Sequence, residues 1–297
     1  MSNVSLASYN TLTAYGEAVR TMRAFFLSKK FIEVEVQSRR SILAACEDPD
    51  SIATYTFAGE KWPLPQTGQM WLEHEILKNP MVPGVFCLTT SYRDEKKINS
   101  DRHLTIFPMF EFESHGDMND LQALMAELFE CMGFGDRSNY KEGNYNDLAH
   151  NYGVSIIEAE QEAKLAQDFS NVFFLKNFPM RSHPFWNMKK EGGHAKKIDA
   201  ILHGIETVGS AERSCDVNEM RDCFYSISDG AYAQKLFNEF SKERVEKELD
   251  DYLSNDFFPR FGGGIGVTRM IRACVLAKEQ QNSAGLQVPY ASQVAEL

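Results

Sequence analysis

Two strand-like runs, VFCLTTSY at 85–92 and IFPMFEFE at 106–113, stand on either side of a short polar stretch and constrain the fold more than any other part of the chain. Val, Thr, Tyr and Phe are prominent in them, as in strands that pair antiparallel, and KKINSDRH between them is the polar connection a hairpin needs. Pairing the runs brings Arg93, at the end of the first, and His103, near the start of the second, to one volume. Donors fixed in that way suit a triphosphate, although a charged hairpin tip would satisfy the same spacing.

A second feature lies about 170 residues later. FGGGIGVTRMIRACVLA (261–277) is a glycine-rich strand that runs into an apolar helix with Arg269 at the junction. Glycines there let a ligand approach the backbone closely. The pattern is neither a G-x-G-x-x-G turn nor a G-x-x-x-x-G-K-[ST] loop, so the dinucleotide fingerprint and the P-loop are both poor fits.

The 297 residues are 43% hydrophobic and 12% aromatic, enough for one large core, and no apolar run is long enough to span a bilayer. A single domain over 1–297 is expected. MSNVSLASYN lacks the blocks of a signal peptide, and the six cysteines (46, 87, 131, 215, 223, 274) form no C-x-x-C pair. Reduced thiols in a cytoplasmic protein are the expectation, with no membrane partner. Apolar spacing predicts a helix over 11–30, a strand in KKFIEVEV, an amphipathic helix over 117–134 and another over 231–254. The polar stretch 135–168 reads as an insertion packed on the surface.

YRDE and RHLTIF together resemble the second signature motif of the class II aminoacyl-tRNA synthetases, and GGGIGVTR resembles the third. KKFIEVEV is similar to the first motif, PQTGQMWLE to the amino-acid-binding strand, FFLKNFPMRSHPFWNM to the strand after it, and KIDAILHGIETVGSAER to the metal and side-chain segment. In order and spacing the likeness covers roughly residues 11–275 and is nearest the aspartyl and asparaginyl branch. It implies an α+β, class II synthetase fold, a mostly antiparallel β-sheet flanked by helices. The first helix and strand would form a homodimer interface, although the proline that ends the family's first motif is absent and Val36 and Gln37 stand there.

The resemblance also implies an ATP and Mg2+ site. Joining a carboxylate to the α-phosphate brings anions together and builds negative charge on phosphorus, so cations must be fixed around it. Arg93 would span the α-phosphate and the attacking carboxylate, and Arg269 would hold the γ-phosphate, with Arg102 and His103 on the outer phosphates. Phe107 would stack on adenine and Glu95 would accept its amino group. Asp199 and Glu206, flanking a short strand, would hold magnesium, which takes one or two carboxylates plus phosphate oxygens and water. Gln66 and Gln69 would line the amino-acid pocket, and Glu47 and Asp48 would belong to a loop closing over it.

Substrate choice would turn on Leu72, Glu73 and Arg213. Leu72 replaces a lysine that, with the arginine, clamps the side-chain carboxylate in aspartyl enzymes. One expectation is a pocket for a carboxamide, with Glu73 on its nitrogen and Arg213 on its oxygen. The other is a reversed amino acid, with Glu73 on the α-ammonium and Arg213 on the α-carboxylate, so that the β-carboxylate is activated.

The likeness begins almost at residue 1, so no anticodon-binding barrel like that of the aspartyl and asparaginyl enzymes is expected, and the sequence carries 42 acidic against 31 basic residues for a net charge of −11. Thr268 stands where those enzymes usually have an acid. These features disfavour tRNA and resemble the AMP-forming asparagine synthetases, which join aspartate to ammonia. The expected enzyme is therefore an aspartate–ammonia ligase. Alternatives are a stand-alone aminoacyl transferase acting on a tRNA, a protein or a small amine, and a non-catalytic regulatory paralogue.

Overall fold

A computed structural model describes residues 9–36, 42, 51–94 and 104–283. The first helix, α1 (Tyr9–Ser28), buries Ala18, Val19, Met22, Phe25 and Phe26 at the three-to-four-residue spacing of one helical face. Lys30, with φ +63°, turns the chain into β1 (Ile32–Glu33). The KKFIEVEV strand is thus only two residues long, extended by a bond from the Val34 N–H to the Phe86 carbonyl at 2.9 Å. A small hairpin follows, β2 (Thr54–Phe57) and β3 (Glu60–Pro63), turning at Ala58 and Gly59, both with positive φ.

Helix α2 (Gln69–Lys78) leads to β4 (Gly84–Tyr92) and β5 (Ile106–His115), which pair antiparallel as the sequence predicts, with Tyr92 opposite Ile106. Helix α3 (Met118–Cys131) is opened by a capping box between Asp117 and Asp120. The segment 135–168 contributes β6 (Lys141–Asn144), α4 (Tyr145–Asn151) and α5 (Ala159–Asp168). It adds a parallel edge strand to β7 (Val172–Pro179), and Tyr145, Leu148 and Leu165 are buried against Phe173, Leu175, Phe178 and Ile201. Part of this segment is therefore core, which its polar β6 sequence conceals.

Strands β8 (Lys190–Glu191), β9 (His194–Leu202) and β10 (Ile205–Glu212) come next, then α6 (Val217–Ser226), α7 (Ala231–Phe240) and α8 (Lys242–Leu253). The single helix expected over 231–254 is two. Ser241 leaves helical geometry (φ +70°, ψ 147°), and its hydroxyl accepts from the Arg244 N–H to cap α8. Strand β11 (Arg260–Gly266) passes directly into α9 (Val267–Ser283).

The main sheet has the order β1-β4-β5-β11-β10-β9-β7-β6, with β8 on β9, and is antiparallel except for β1 with β4 and β6 with β7. Alternation along the strands separates its faces. Phe86, Phe110, Phe112, Ile198, Ala200 and Phe261 point to one side, where α1, α3 and α9 cover them. Phe26 is central there, with its ring centroid 5.1–5.7 Å from those of Phe31, Phe86, Phe110 and Phe112. The other face carries Glu111, Glu113 and Asp199. It is closed at one end by α2 and α6–α8 and at the other by α4 and α5, which leaves a cleft between them.

Candidate functional site

The cleft encloses about 400 Å³ over the centre of the sheet. Asp199, Gly209, Gly264 and Glu111 are neighbours across four strands, and Ala211, Gly262 and Glu113 form the next row. Glycine makes this floor for two reasons. At Gly262 a Cβ would lie 1.9 Å from Glu113 Oε1, so the buried acid needs the space. At Gly209 a Cβ would be 3.7 Å from both Asp199 Oδ1 and Glu206 Oε1, so there the absent methyl leaves open floor between two carboxylates.

The cleft brings together Gln66, Gln69, Glu73, Arg93, Phe107, Glu206, Arg213 and Arg269, eight of the residues singled out from sequence, and Asp199 adjoins it through Gly209. Glu47, Glu95, Arg102 and His103, with Asp48, lie outside the described residues. Asp199 and Glu206 do not flank one short strand as expected. They stand on β9 and β10, which a turn at His203–Gly204 folds together.

At the open end Arg93 leaves β4, with its N–H on the Thr105 carbonyl at 2.8 Å and its guanidinium 5.4 Å from the Phe107 ring centre. Arg269, in the first turn of α9, donates to the Glu206 carbonyl at 2.9 Å and to its carboxylate at 3.2 Å. Lys197, which sequence reasoning passed over, pairs with Asp199 at 3.2 Å and lies 4.3 Å from the Phe178 ring centre. Its position two residues before Asp199 on a strand was the available signal. Burial would raise the Glu206 carboxyl, but Arg269 and Lys197 hold it below the ordinary range. Asp199 and Glu206 fit a magnesium ion: both offer hard oxygen, both face open floor, and phosphate oxygens and water would complete its shell. Among the described residues no group of three or more His, Cys, Asp or Glu could hold a metal ion.

The closed end is a buried charge cluster. Arg213 donates Nε to Glu113 Oε1 at 3.0 Å and Nη2 to Glu113 and to Gln69 Oε1. Gln69 in turn donates to the Phe112 and Gly263 carbonyls, so its amide holds Arg213 against the sheet. Glu73, 0% exposed, accepts from Asn187 at 2.6 Å on Oε1 and from Tyr252 and Arg260 at 2.6 and 2.8 Å on Oε2, with Arg213 Nε at 3.5 Å. Both of its oxygens are thus engaged by protein donors. Leu72 faces away, buried against Ile76, Val85 and Cys87.

Burial raises both acids of this cluster, and the arginines oppose it. Arg213 and Arg260 prevail at Glu73, whose carboxyl falls below the ordinary range. At Glu113 burial outweighs Arg213, Glu73 adds repulsion, and the carboxyl is pushed up to about 8. Glu111, buried beside them and bonded by Thr67, Thr89 and the Gly68 N–H, is also raised by burial. Asn187, Tyr252 and Arg260 were not foreseen.

Residues 3–281 match the family model described as tRNA synthetases class II (D, K and N). The chain belongs to this family. An aspartate–tRNA(Asp) ligase of Pyrobaculum aerophilum is 22% identical over 292 residues, 88% of this chain and 63% of that protein. In fold, asparaginyl-tRNA synthetase from Pyrococcus horikoshii, solved with asparaginyl-adenylate, superposes with a TM-score of 0.73 at 21% identity, over 89% of this chain and 65% of that one. Aspartyl-tRNA synthetase from Entamoeba histolytica gives 0.68 at 17% identity, over 91% and 57%. The class II synthetase fold expected from sequence is the one observed. In each case the chain spans less than two thirds of the relative's length. No helix among the described residues is long and apolar enough to cross a membrane.

Proposed function

We propose that this family member is an ATP-dependent ligase that forms an aminoacyl-adenylate, with aspartate and ammonia as substrates and asparagine, AMP and pyrophosphate as products. The observation that carries this reading is the division of one cleft into a cationic end, Arg93 and Arg269 beside the Asp199–Glu206 pair, and a buried acid–arginine end at Glu73, Glu113 and Arg213. A β-carboxylate oxygen of aspartate attacks the α-phosphorus and pyrophosphate leaves. Ammonia then attacks the acyl carbon, AMP leaves with the former carboxylate oxygen, and the nitrogen loses a proton to solvent.

Arg93 bridges the entering carboxylate and the α-phosphate, Phe107 supports adenine, and Arg269 releases Glu206 to take the outer phosphates. Magnesium on Asp199 and Glu206 would neutralise phosphate charge. The α-ammonium and α-carboxylate of aspartate lie at the closed end, where Arg213 meets the carboxylate. Retention of Arg93, Arg269, Asp199 and Glu206 around one cleft speaks against a purely regulatory paralogue. Exposed Leu12, Leu27 and Ile32 on α1 and β1 support a homodimer through that face.

A second reading, activation of asparagine and transfer to a tRNA, a protein or a small amine, draws support from the same closed end, whose two acids and two arginines suit a neutral carboxamide. Pyrophosphate release from ATP and magnesium, measured with each amino acid with and without ammonium, separates the two. Asparagine formed from aspartate only when ammonium is added supports the ligase; adenylation of asparagine itself refutes it.

A further inference from the structure

Asn187 lies between β7 and β8, 1% exposed, on the wall of the cleft. Its Nδ2 donates to Glu73 Oε1 at 2.6 Å and to the Met70 sulfur at 3.5 Å. A carboxylate and a thioether only accept, so the amide can sit in one orientation, and the flipped form would set its carbonyl against the Glu73 carboxylate. That orientation commits Oδ1 to the other side. Oδ1 is buried and meets no donor among the described residues. A buried carbonyl oxygen left without a donor is uncommon enough to need a cause.

Arg213 stands beside it. The Ser214 N–H donates to the Asn187 carbonyl at 2.8 Å, Met188 bridges Arg213 in the backbone, and the two side chains converge on the same Glu73 oxygen, at 2.6 and 3.5 Å. The contacts described for Arg213 use Nε and Nη2. The closed end therefore offers one oriented acceptor next to a cation whose Nη1 those contacts leave out.

We propose that Asn187 is a specificity-determining residue: Oδ1 accepts the N–H of the amino-acid substrate at the closed end, while Arg213 donates to the neighbouring oxygen. The group recognised is a nitrogen donor beside an oxygen acceptor, either the α-ammonium with its α-carboxylate or a side-chain carboxamide. Glu73 is then a positioning residue that fixes Asn187 and Arg213 without touching substrate. This assignment rests on the amino-acid adenylation proposed above.

The test compares the wild-type chain with Asn187→Leu, similar in shape without polar atoms, and Asn187→Ser, whose shorter side chain leaves the Oδ1 position empty. KM values for aspartate, succinate, asparagine and ATP are measured by AMP formation, alongside thermal melts. Both variants should raise KM for the preferred amino acid about 10- to 100-fold, the effect of leaving one buried partner unpaired, with KM for ATP unchanged. If the aspartate-over-succinate preference collapses in the variants, the α-ammonium is the donor. If the preference for asparagine over aspartate collapses, it is the carboxamide. A variant with a normal melt and an amino-acid KM within twofold of wild type overturns the assignment, as does a parallel rise in both KM values. Wild-type protein that adenylates neither amino acid overturns the functional reading and the assignment with it, whereas adenylation indifferent to Asn187 overturns the assignment alone.

Discussion

Gly209→Ala separates folding from function at the carboxylate pair. Gly209 lies in the middle of β10, opposite Asp199 and Gly264, and has no positive φ. The added methyl carbon would sit 3.7 Å from Asp199 Oδ1 and 3.7 Å from Glu206 Oε1, ordinary van der Waals contact. The fold therefore accepts it, and the less flexible unfolded chain gives a change of about 0 to +1 kcal/mol, at most a few degrees in Tm. A ligand does not fare as well. The methyl would stand beside one oxygen of each carboxylate, on the floor over which a cation held by the pair and its phosphate oxygens would lie. A phosphate or hydrated cation displaced by about 1 Å loses on the order of 100-fold in rate, about 2.7 kcal/mol. The assay is pyrophosphate exchange against magnesium concentration, with a ligand-free melt as control. Unchanged exchange at limiting magnesium would refute the assignment of Asp199 and Glu206, and a melt many degrees lower would refute the geometry of the floor.

Arg269→Ala should lower exchange by about 100-fold or more, while the melt moves little, because its pair with Glu206 is about one third exposed and such pairs contribute about 0–1 kcal/mol; retained exchange would refute its phosphate role. Glu113 holds its proton more tightly folded than unfolded, so its stabilising share is present below the ordinary carboxylate pKa and is lost as pH rises through about 8. The unfolding free energy of wild type relative to Glu113→Gln, from urea titrations, should therefore fall between about pH 4.5 and 8, by on the order of a few kcal/mol, and then level off; a flat difference would show that Glu113 titrates normally. Phe26→Ala, which empties the centre of five packed rings, should cost about 3–5 kcal/mol in urea unfolding, and a loss under 1 kcal/mol would mean that the cluster repacks.

Local signals carried the centre of the fold. The β4–β5 hairpin announced itself through β-branched and aromatic runs around a polar connection, and β11 through its glycines. The open end of the cleft was legible because Arg93, Phe107 and Arg269, which all line it, sit in the contiguous runs YRDE, RHLTIF and GGGIGVTR that resemble the family's signature motifs. The edges were not. Strand β6 reads KEGN, with a single neighbouring strand and no apolar face to mark it, and Ser241 looks like any polar residue on a helix until its dihedrals are known. Glu73 lines the cleft, but the donors that engage it could not be read, since its partners Asn187, Tyr252 and Arg260 lie 114, 179 and 187 residues away. Burial and partnership at that distance leave no trace in spacing.

The closed end of the cleft also ties separate layers of the molecule together. Glu73 belongs to α2, Tyr252 to α8 and Arg260 to β11, and all three side chains are no more than 1% exposed. Deleting the acid alone strands a guanidinium in the interior, at a cost of about 3–5 kcal/mol, a large share of what holds an ordinary domain folded. A lineage carrying this cluster cannot exchange Glu73 on its own without giving up that share. Its evolutionary freedom lies at the edge of the cluster, in side chains such as Asn187 that line the cleft and meet a single Glu73 oxygen while the lock behind them stays closed.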